Sequence, residues 1–259
     1  MHIHEYQAKK ILKKYNVRVQ DGVLVSSKKS IKSSLEKIKS FPVFIKAQVH
    51  AGGRKKSGAV QRAVSHKDAE QKLSEIIGMK IVNNQTGPEG KTVMKAYVES
   101  AIDIKSEFYI SLVINRSLAK PMFIISKSGG TEIEALAKTD PDKIIKIPID
   151  ICIGVQDFHI RKILYVLGLS ESNFDELKNL INGIYNAFME NDADQIEINP
   201  VALDNENKLI ALDAKMNFDE NAYYRQQNIF KLKDRSGYSK SEKLAEKYNL
   251  SFIKMDGSI

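Results

Sequence analysis

The chain has 259 residues, of which 42% are hydrophobic and 28% are charged, the composition of an ordinary soluble globular protein of one or two domains. No apolar run approaches the roughly 18–20 residues of a membrane span. The single cysteine, Cys152, excludes an internal disulfide and a thiolate metal cage. The first ten residues are polar and lack a secretory apolar region, so we expect a cytoplasmic protein with no membrane partner.

The formal net charge is +8, which suits nucleic acid, an anionic ligand or an acidic protein partner. However, the lysines are spread along the whole chain, without a basic stripe, an interleaved aromatic patch or zinc-finger spacing. A nucleotide or an acidic partner therefore explains the charge more simply than nucleic acid does.

Apolar spacing in the first part of the chain predicts a helix over residues 6–15 and a second helix over residues 30–38. Ser65 is typical of a residue that caps the start of a third helix. The short strands predicted in this part cover residues 17–19, 23–25, 42–49 and 57–64.

The second part mixes strands and helices without a strict βαβ rhythm, which favours an α+β fold. The predicted strands cover residues 92–99, 107–115, 120–126, 196–203, 208–213 and 250–255. The predicted helices cover residues 158–167, 174–191 and 239–248, and the longest of them carries an apolar stripe that is typical of core packing.

A short apolar strand carrying Lys46 runs into a glycine-rich basic loop around Gly53 and Arg54. Glycines let backbone N–H groups approach phosphate oxygens, and the two basic side chains add charge. Gly53 and Gly58 have P-loop spacing, but Ala59 and Val60 follow where Lys-Ser/Thr is required. The loop is thus either a different kind of nucleotide site or a solvated basic turn.

The hairpin over residues 196–213 predicts a metal site. With a three-residue loop at 205–207, Asn199 lies opposite Asp213, and Glu197 shares their face because side chains alternate along a strand. Two carboxylates and an amide oxygen suit Mg²⁺. Pro200 fits an edge or bulged position. The alternative is a polar face turned to solvent, and a two-residue loop would break this register.

Together these groups suit phosphoryl transfer, which needs mainly positioning and charge neutralisation. Lys46 and the glycine loop would hold phosphates, and Glu99 would take ribose or base donors. Asn199 and Asp213 would hold Mg²⁺. Glu197 would orient an imidazole that accepts the phosphoryl group.

Four motifs resemble the β subunit of succinyl-CoA synthetase over essentially the whole chain. They are His4-Glu-Tyr-Gln-Ala-Lys9, Lys46-Ala-Gln-Val-His-Ala-Gly-Gly-Arg54, Gly129-Gly-Thr-Glu-Ile-Glu134 and Ile196-Glu-Ile-Asn-Pro200. The resemblance implies an ATP-grasp fold, in which two α+β subdomains clasp a nucleotide. It also implies an acid–thiol ligase of the citric acid cycle that couples succinyl-CoA cleavage to ATP or GTP synthesis.

The family's phosphoryl group travels on a histidine of the α subunit, so none of the five histidines here should carry it. The resemblance implies Mg²⁺ at Asn199 and Asp213, and Glu197 as the carboxylate that steadies the phosphohistidine. Its nucleotide-binding positions, with Ile102 acting through its backbone, are Lys46, Gly53, Arg54, Lys55, Glu99, Ile102 and Glu107. The implied partners are the α subunit, in an αβ or α2β2 assembly, with succinate and coenzyme A bound through that partner and a further domain.

The chain departs from the family pattern at Lys55, where the family loop has glycine, which restricts the backbone if a positive φ is needed. Gln20 resembles GTP-preferring members, so ATP and GTP both remain open. We expect the nucleotide-binding domain at residues 1–237, with an inner subdomain at about 24–103. Residues 238–259 would begin an incomplete C-terminal CoA-ligase domain. Malate–CoA ligase and a non-catalytic nucleotide-binding remnant are the alternatives.

Overall fold

The computed structural model describes residues 1–50, 54, 56–83, 86–87, 90–130, 133–235, 238–248, 250 and 252–253. None of the helices formed by these residues is long and apolar enough to cross a membrane. The described residues form two main antiparallel sheets with helices packed against them, so the predicted α+β class is confirmed.

The helices formed by these residues differ mainly in length, and the helices Asp157–Leu167 and Phe174–Glu190 cover one face of the larger sheet. Their bounds are α1 Glu5–Lys14, α2 Ile31–Leu35, α3 His66–Ile76, α4 Ile133–Thr139, α5 Asp157–Leu167, α6 Phe174–Glu190, α7 Gln227–Phe230 and α8 Lys240–Lys247. Short 3₁₀ turns lie at Lys28–Ser30, Pro141–Lys143, Glu171–Asn173 and Glu220–Tyr224.

The smaller sheet has the strand order β1-β6-β2-β3, and the larger has β11-β10-β7-β8-β9, with β12 also paired to β10. A separate two-stranded ribbon joins β4 and β5. The strand bounds are β1 Gly22–Val25, β2 Val43–Ala47, β3 Val60–Ala63, β4 Lys80–Ile81, β5 Lys91–Thr92, β6 Ala96–Ser100, β7 Ile104–Asn115, β8 Lys120–Ser126, β9 Ile145–Pro148, β10 Ala193–Asp204, β11 Leu209–Ala211 and β12 Ala214–Phe218.

The smaller sheet forms its own core against α2 and α3. Side chains alternate along β2, so Val43, Ile45 and Ala47 are fully buried while Lys46 lies on the opposite face. Ser65 caps α3 by accepting a hydrogen bond from the Asp68 backbone N–H, as the sequence predicts. This alternation turns Lys46, which precedes the basic loop, away from the core and towards the larger sheet.

The larger sheet packs one face against α5 and α6, and α1 contacts both β12 and α6. The predicted apolar stripe of the longest helix is confirmed as core, since α6 buries Leu177, Leu180, Ile181, Ile184, Ala187 and Phe188. Burial of such side chains contributes about 1.5–3 kcal/mol each. The packed face therefore holds β10 and β7 in place while the opposite face remains available for polar side chains.

Several element predictions need correction. The single strand predicted over residues 92–99 is two strands, because Thr92 ends β5 of the two-stranded ribbon and Ala96 begins β6 of the smaller sheet. Residues 17–19 contribute only one bridge, from Val19 to Ala211. Within the predicted strand 250–255, Leu250, Phe252 and Ile253 belong to no strand, and the other positions lie outside the described residues.

Candidate functional site

The register predicted for the hairpin is confirmed. Leu203 pairs with Leu209 across a loop at 205–207, and the Asn199 N–H donates to the Asp213 carbonyl at 3.1 Å. The same register continues into β12, where Glu197 pairs directly with Lys215. The register between β10 and β7 shifts between Ile198 and Val201, so Pro200 lies at a bulge, as the sequence predicts.

Both carboxylate oxygens of Glu197 are held by neighbouring side chains. Lys215 Nζ lies 3.4 Å from one oxygen, and Gln195 Nε2 donates to the other at 3.2 Å. Asn217 Nδ2 in turn donates to Gln195 Oε1 at 3.0 Å. This relay fixes the direction of the Glu197 carboxylate on the polar face of the hairpin.

Asn199 is held from the other side by the second glycine turn. The Gly130 N–H donates to Asn199 Oδ1 at 2.7 Å, and the Gly129 N–H donates to the Glu107 carbonyl at 3.2 Å. The turn lies so close to β7 that a Cβ at Gly129 would be 2.4 Å from the Phe108 nitrogen. Only glycine fits there, so this turn sets the orientation of the Asn199 amide.

Arg54 connects the basic loop to the hairpin. Its Nη2 lies 2.9 and 2.7 Å from the two oxygens of Asp213 and 2.8 Å from Glu5 Oε2, while Nη1 donates to the Ala47 carbonyl at 2.8 Å. Burial alone would lower the pKa of Arg54, but Asp213 and Glu5 outweigh burial and raise it. The guanidinium therefore stays charged in the cleft between the two sheets.

Lys46 lies beside Arg54 and is equally well supplied with acceptors. Its Nζ donates to Glu5 Oε1 at 3.1 Å and to the Leu212 carbonyl at 2.6 Å, and it also contacts Glu99 Oε1. Burial lowers the pKa of Lys46, but Glu5 and Glu99 outweigh it and the net direction is upward. Conversely, burial would raise the pKa of Glu5, but Lys46, Arg54 and Lys9 hold it below its usual range.

Two residues of this cluster, Glu5 and Lys9 on α1, were not assigned a role from the sequence. Lys9 is 1% exposed, and its Nζ lies 3.3 Å from Glu5 Oε1 and 2.5 Å from Glu99 Oε2. The signal available in the sequence was a Glu and a Lys four residues apart on the buried face of an amphipathic helix.

A cavity of about 360 Å³ opens beside this cluster, between the basic loop and the hairpin. It is lined by groups from the basic loop, from the β4–β5 ribbon and from the larger sheet and its turns, among them Arg54, Lys91, Glu197, Asp213 and Lys215. Its lining also includes the three histidines His2, His4 and His50. Burial lowers the pKa of His50 to about 4, so its ring is neutral at neutral pH and adds no positive charge to the cavity.

The remaining predicted site residues are placed as follows. Ile102 packs against the small apolar cluster of Ala202, Ile210 and Leu212, and Glu107 lies under the second glycine turn. Both oxygens of Glu99 face lysines, and the residue is 1% exposed. Gly53 and Lys55 lie outside the described residues.

The comparisons with known proteins assign the family. A family model described as an ATP-grasp domain matches residues 2–203. The β subunit of an ADP-forming succinate–CoA ligase from Rickettsia conorii is 43% identical over 259 residues, covering all of this chain and 67% of the relative. The chain belongs to the succinate–CoA ligase β-subunit family. The corresponding β subunit from Nautilia profundicola is also 43% identical and is covered to 66% of its length.

This β-subunit family member spans about two thirds of the length of the curated relatives it matches. Its fold is also that of a solved structure of ATP citrate lyase from Methanothrix soehngenii in complex with citrate and coenzyme A, with a TM-score of 0.74. The two share 17% identity over 96% of this chain and 59% of that one, which shows a common fold. The predicted ATP-grasp architecture is thus confirmed.

Asn199 and Asp213 supply an amide and a carboxylate oxygen at the predicted Mg²⁺ positions, and these are ligand types that Mg²⁺ prefers. In the ranges that the structure describes, no group of three or more His, Cys, Asp or Glu side chains could hold a metal ion. Glu197, Asn199, Asp213 and Lys215 nevertheless line one small pocket. One carboxylate and one amide oxygen would leave the rest of a Mg²⁺ coordination shell to phosphates and waters.

Proposed function

We propose that this chain is the nucleotide-binding part of a succinate–CoA ligase β subunit, ADP- or GDP-forming, in a cytoplasmic citric acid cycle enzyme. It would bind Mg-nucleotide in the cleft between the two sheets and exchange a phosphoryl group with a histidine of an α subunit. The observation that supports the proposal is that the predicted phosphate-binding and metal-binding residues meet in one cleft. Lys46 and Arg54 come from the smaller sheet and its loop, while Asn199 and Asp213 come from the larger sheet.

The cationic side chains would bind the nucleotide's phosphates. Lys46 and Arg54 now pair with carboxylates, and phosphate oxygens would share or replace those acceptors, as charge-assisted hydrogen bonds allow. Asn199 and Asp213 would hold Mg²⁺, which supplies charge neutralisation for phosphate oxygens when it is bound. Release of Asp213 from Arg54 would supply the metal's carboxylate and, at the same time, free the guanidinium for a phosphate.

Glu197 would act on the partner's imidazole. A carboxylate that accepts the N–H of one ring nitrogen leaves the other nitrogen unprotonated and able to attack phosphorus. In the direction of nucleotide consumption, that nitrogen forms the N–P bond while the bond from phosphorus to the bridging oxygen breaks, and the nucleoside diphosphate leaves. Gln195 and Lys215 support this role because they fix the carboxylate from both sides.

Calorimetric titration of the chain with Mg-ADP and Mg-GDP tests the binding step. We expect Lys46→Ala and Asp213→Ala each to weaken binding by about tenfold or more, since a hydrogen bond to a charged group contributes about 1.5–3 kcal/mol. Lys146→Ala on β9 is the matched control, because this lysine is exposed on a strand at the far edge of the larger sheet. A folded wild-type chain that binds neither nucleotide would refute the proposal.

The transfer step is tested with α subunit and γ-labelled ATP or GTP. We expect label on the α subunit with the wild-type chain and little with Glu197→Gln, at unchanged nucleotide affinity. Transfer at the wild-type rate by Glu197→Gln would remove the role proposed for this carboxylate.

A further inference from the structure

Lys9 occupies an unusual position for a lysine. It lies in the first helix, is 1% exposed, and is absent from the residues that line the cavity. Its Nζ has three acceptors, Glu99 Oε2 at 2.5 Å, Glu5 Oε1 at 3.3 Å and Gln20 Oε1 at 3.4 Å. Three N–H groups meeting three acceptors satisfy a buried ammonium, which would otherwise be costly.

Two of the three acceptors of Lys9 are the carboxylates that hold the two cations of the proposed phosphate site. Glu5 contacts both Lys46 and Arg54, and Glu99 contacts Lys46. Among the residues that the structure describes, these two carboxylates and Asp213 would face two cations without Lys9, and the cluster would carry an excess negative charge. With Lys9, the described part of the cluster has three carboxylates and three cations, so its net charge is zero.

We propose that Lys9 is a positioning residue that makes the nucleotide site able to accept a polyanion. Lys9 neutralises Glu5 and Glu99 without lining the cavity itself. Lys46 and Arg54 can then donate hydrogen bonds to phosphate oxygens and balance their charge. The proposal deepens the proposed function and rests on it, since it concerns how the same site binds phosphate. Lys9 acts through the two carboxylates and touches no ligand itself.

The loss of affinity on removal of the Lys9 ammonium should depend on the charge of the ligand. Removing the ammonium leaves one uncompensated carboxylate next to Lys46 in a buried cluster, where a unit charge acts over several ångströms with little screening. Its repulsion grows with the number of phosphate charges on the ligand and vanishes for an uncharged nucleoside. A change in packing alone would affect ligands of every charge alike.

The test is calorimetric titration of Lys9→Met with adenosine, Mg-ADP and tripolyphosphate. Met keeps the unbranched length of the side chain without its charge. We expect affinity for Mg-ADP and tripolyphosphate to fall about tenfold or more, and affinity for adenosine to change less than about twofold. Wild-type affinity for Mg-ADP in a folded Lys9→Met chain, or an equal loss for all three ligands, would overturn the proposal.

A second variant keeps the test decisive if Lys9→Met does not fold. Lys9→Met/Glu5→Gln restores the equality of charges by removing one cation and one carboxylate. We expect this double variant to bind tripolyphosphate within about threefold of wild type. Loss of tenfold or more in the folded double variant would contradict the charge argument. Failure of the wild-type chain to bind Mg-ADP would refute the proposed function instead, so the two failures are distinguishable.

Discussion

Replacing Gly129 by alanine probes how the second glycine turn holds Asn199. The new Cβ would lie 2.4 Å from the Phe108 nitrogen and 2.7 Å from two further backbone atoms of β7, and these cannot rotate away. Restoring an ordinary contact of 3.4 Å requires the turn to move by about 1 Å. The adjacent Gly130 N–H to Asn199 Oδ1 bond, now 2.7 Å, would lengthen towards about 3.7 Å and be lost.

Overpacking of this kind costs about 1–3 kcal/mol and the lost hydrogen bond about 1 kcal/mol more. We therefore expect the free energy of unfolding to fall by about 2–4 kcal/mol and the Tm by about 4–16 °C. Urea and thermal unfolding measure the loss, and titration with Mg-ADP should show weaker binding because the amide of Asn199 has lost its support.

Gly154→Ala is the control for this substitution. Gly154 has a positive φ of 64°, which Gly129 does not, and a Cβ at Gly154 would meet Tyr185 at an ordinary 3.8 Å. It should therefore cost only the backbone strain, about 1 kcal/mol. If Gly129→Ala is no more destabilising than Gly154→Ala, the turn is looser than its contacts indicate and the reasoning fails.

Three further predictions concern a helix cap, a histidine and the Glu197 carboxylate. Ser65→Ala removes the acceptor for the Asp68 N–H at 3.2 Å and should lower the free energy of unfolding by about 1 kcal/mol in urea titrations, whereas no change would exclude the cap. Burial lowers the pKa of His50 to about 4 from 6.5. The unfolded chain therefore binds an extra proton between those values, and stability should fall as pH drops through this window. Urea unfolding at several pH values should show a shallower fall for His50→Asn, and equal slopes would contradict this. Gln195→Leu frees one oxygen of Glu197 and should slow phosphoryl transfer to the α subunit several-fold at unchanged Mg-ADP affinity, whereas slower transfer with equally weakened binding would indicate a general distortion.

Local rules were sufficient for most elements of the fold. The apolar stripe of α6, the cap at Ser65 and the hairpin register each depend on residues close in sequence, and each is confirmed. The predicted strand over residues 92–99 was wrong because its interruption depends on pairing with other strands, β4 and β2, which local alternation does not reveal.

In the candidate site, too, the features set by residues close in sequence were predicted, and those set by distant residues were not. Glu197, Asn199 and Asp213 were grouped by hairpin geometry alone, because two strands joined by a short loop fix which side chains share a face. The link between Arg54 and Asp213 spans 159 residues and joins two sheets, so neither period nor spacing could reveal it. The relay through Gln195 was also missed, since an amide next to a carboxylate on a strand is ordinary surface chemistry in most proteins.

The buried cluster explains why a helix at the start of the chain belongs to the site at all. Glu5 contacts three cationic side chains, Lys9, Lys46 and Arg54. Through Glu5, α1 holds the cations of the smaller sheet and its loop against the hairpin of the larger sheet. Removing one partner from such a cluster is expensive because the remaining charge stays buried. In the proposed nucleotide site, a phosphate group entering the cleft would stand in for a carboxylate partner without leaving a cation unpaired. Under the proposed function, the cluster would let a highly charged ligand exchange with internal carboxylates, and it would do so only while Lys9 keeps those carboxylates neutralised.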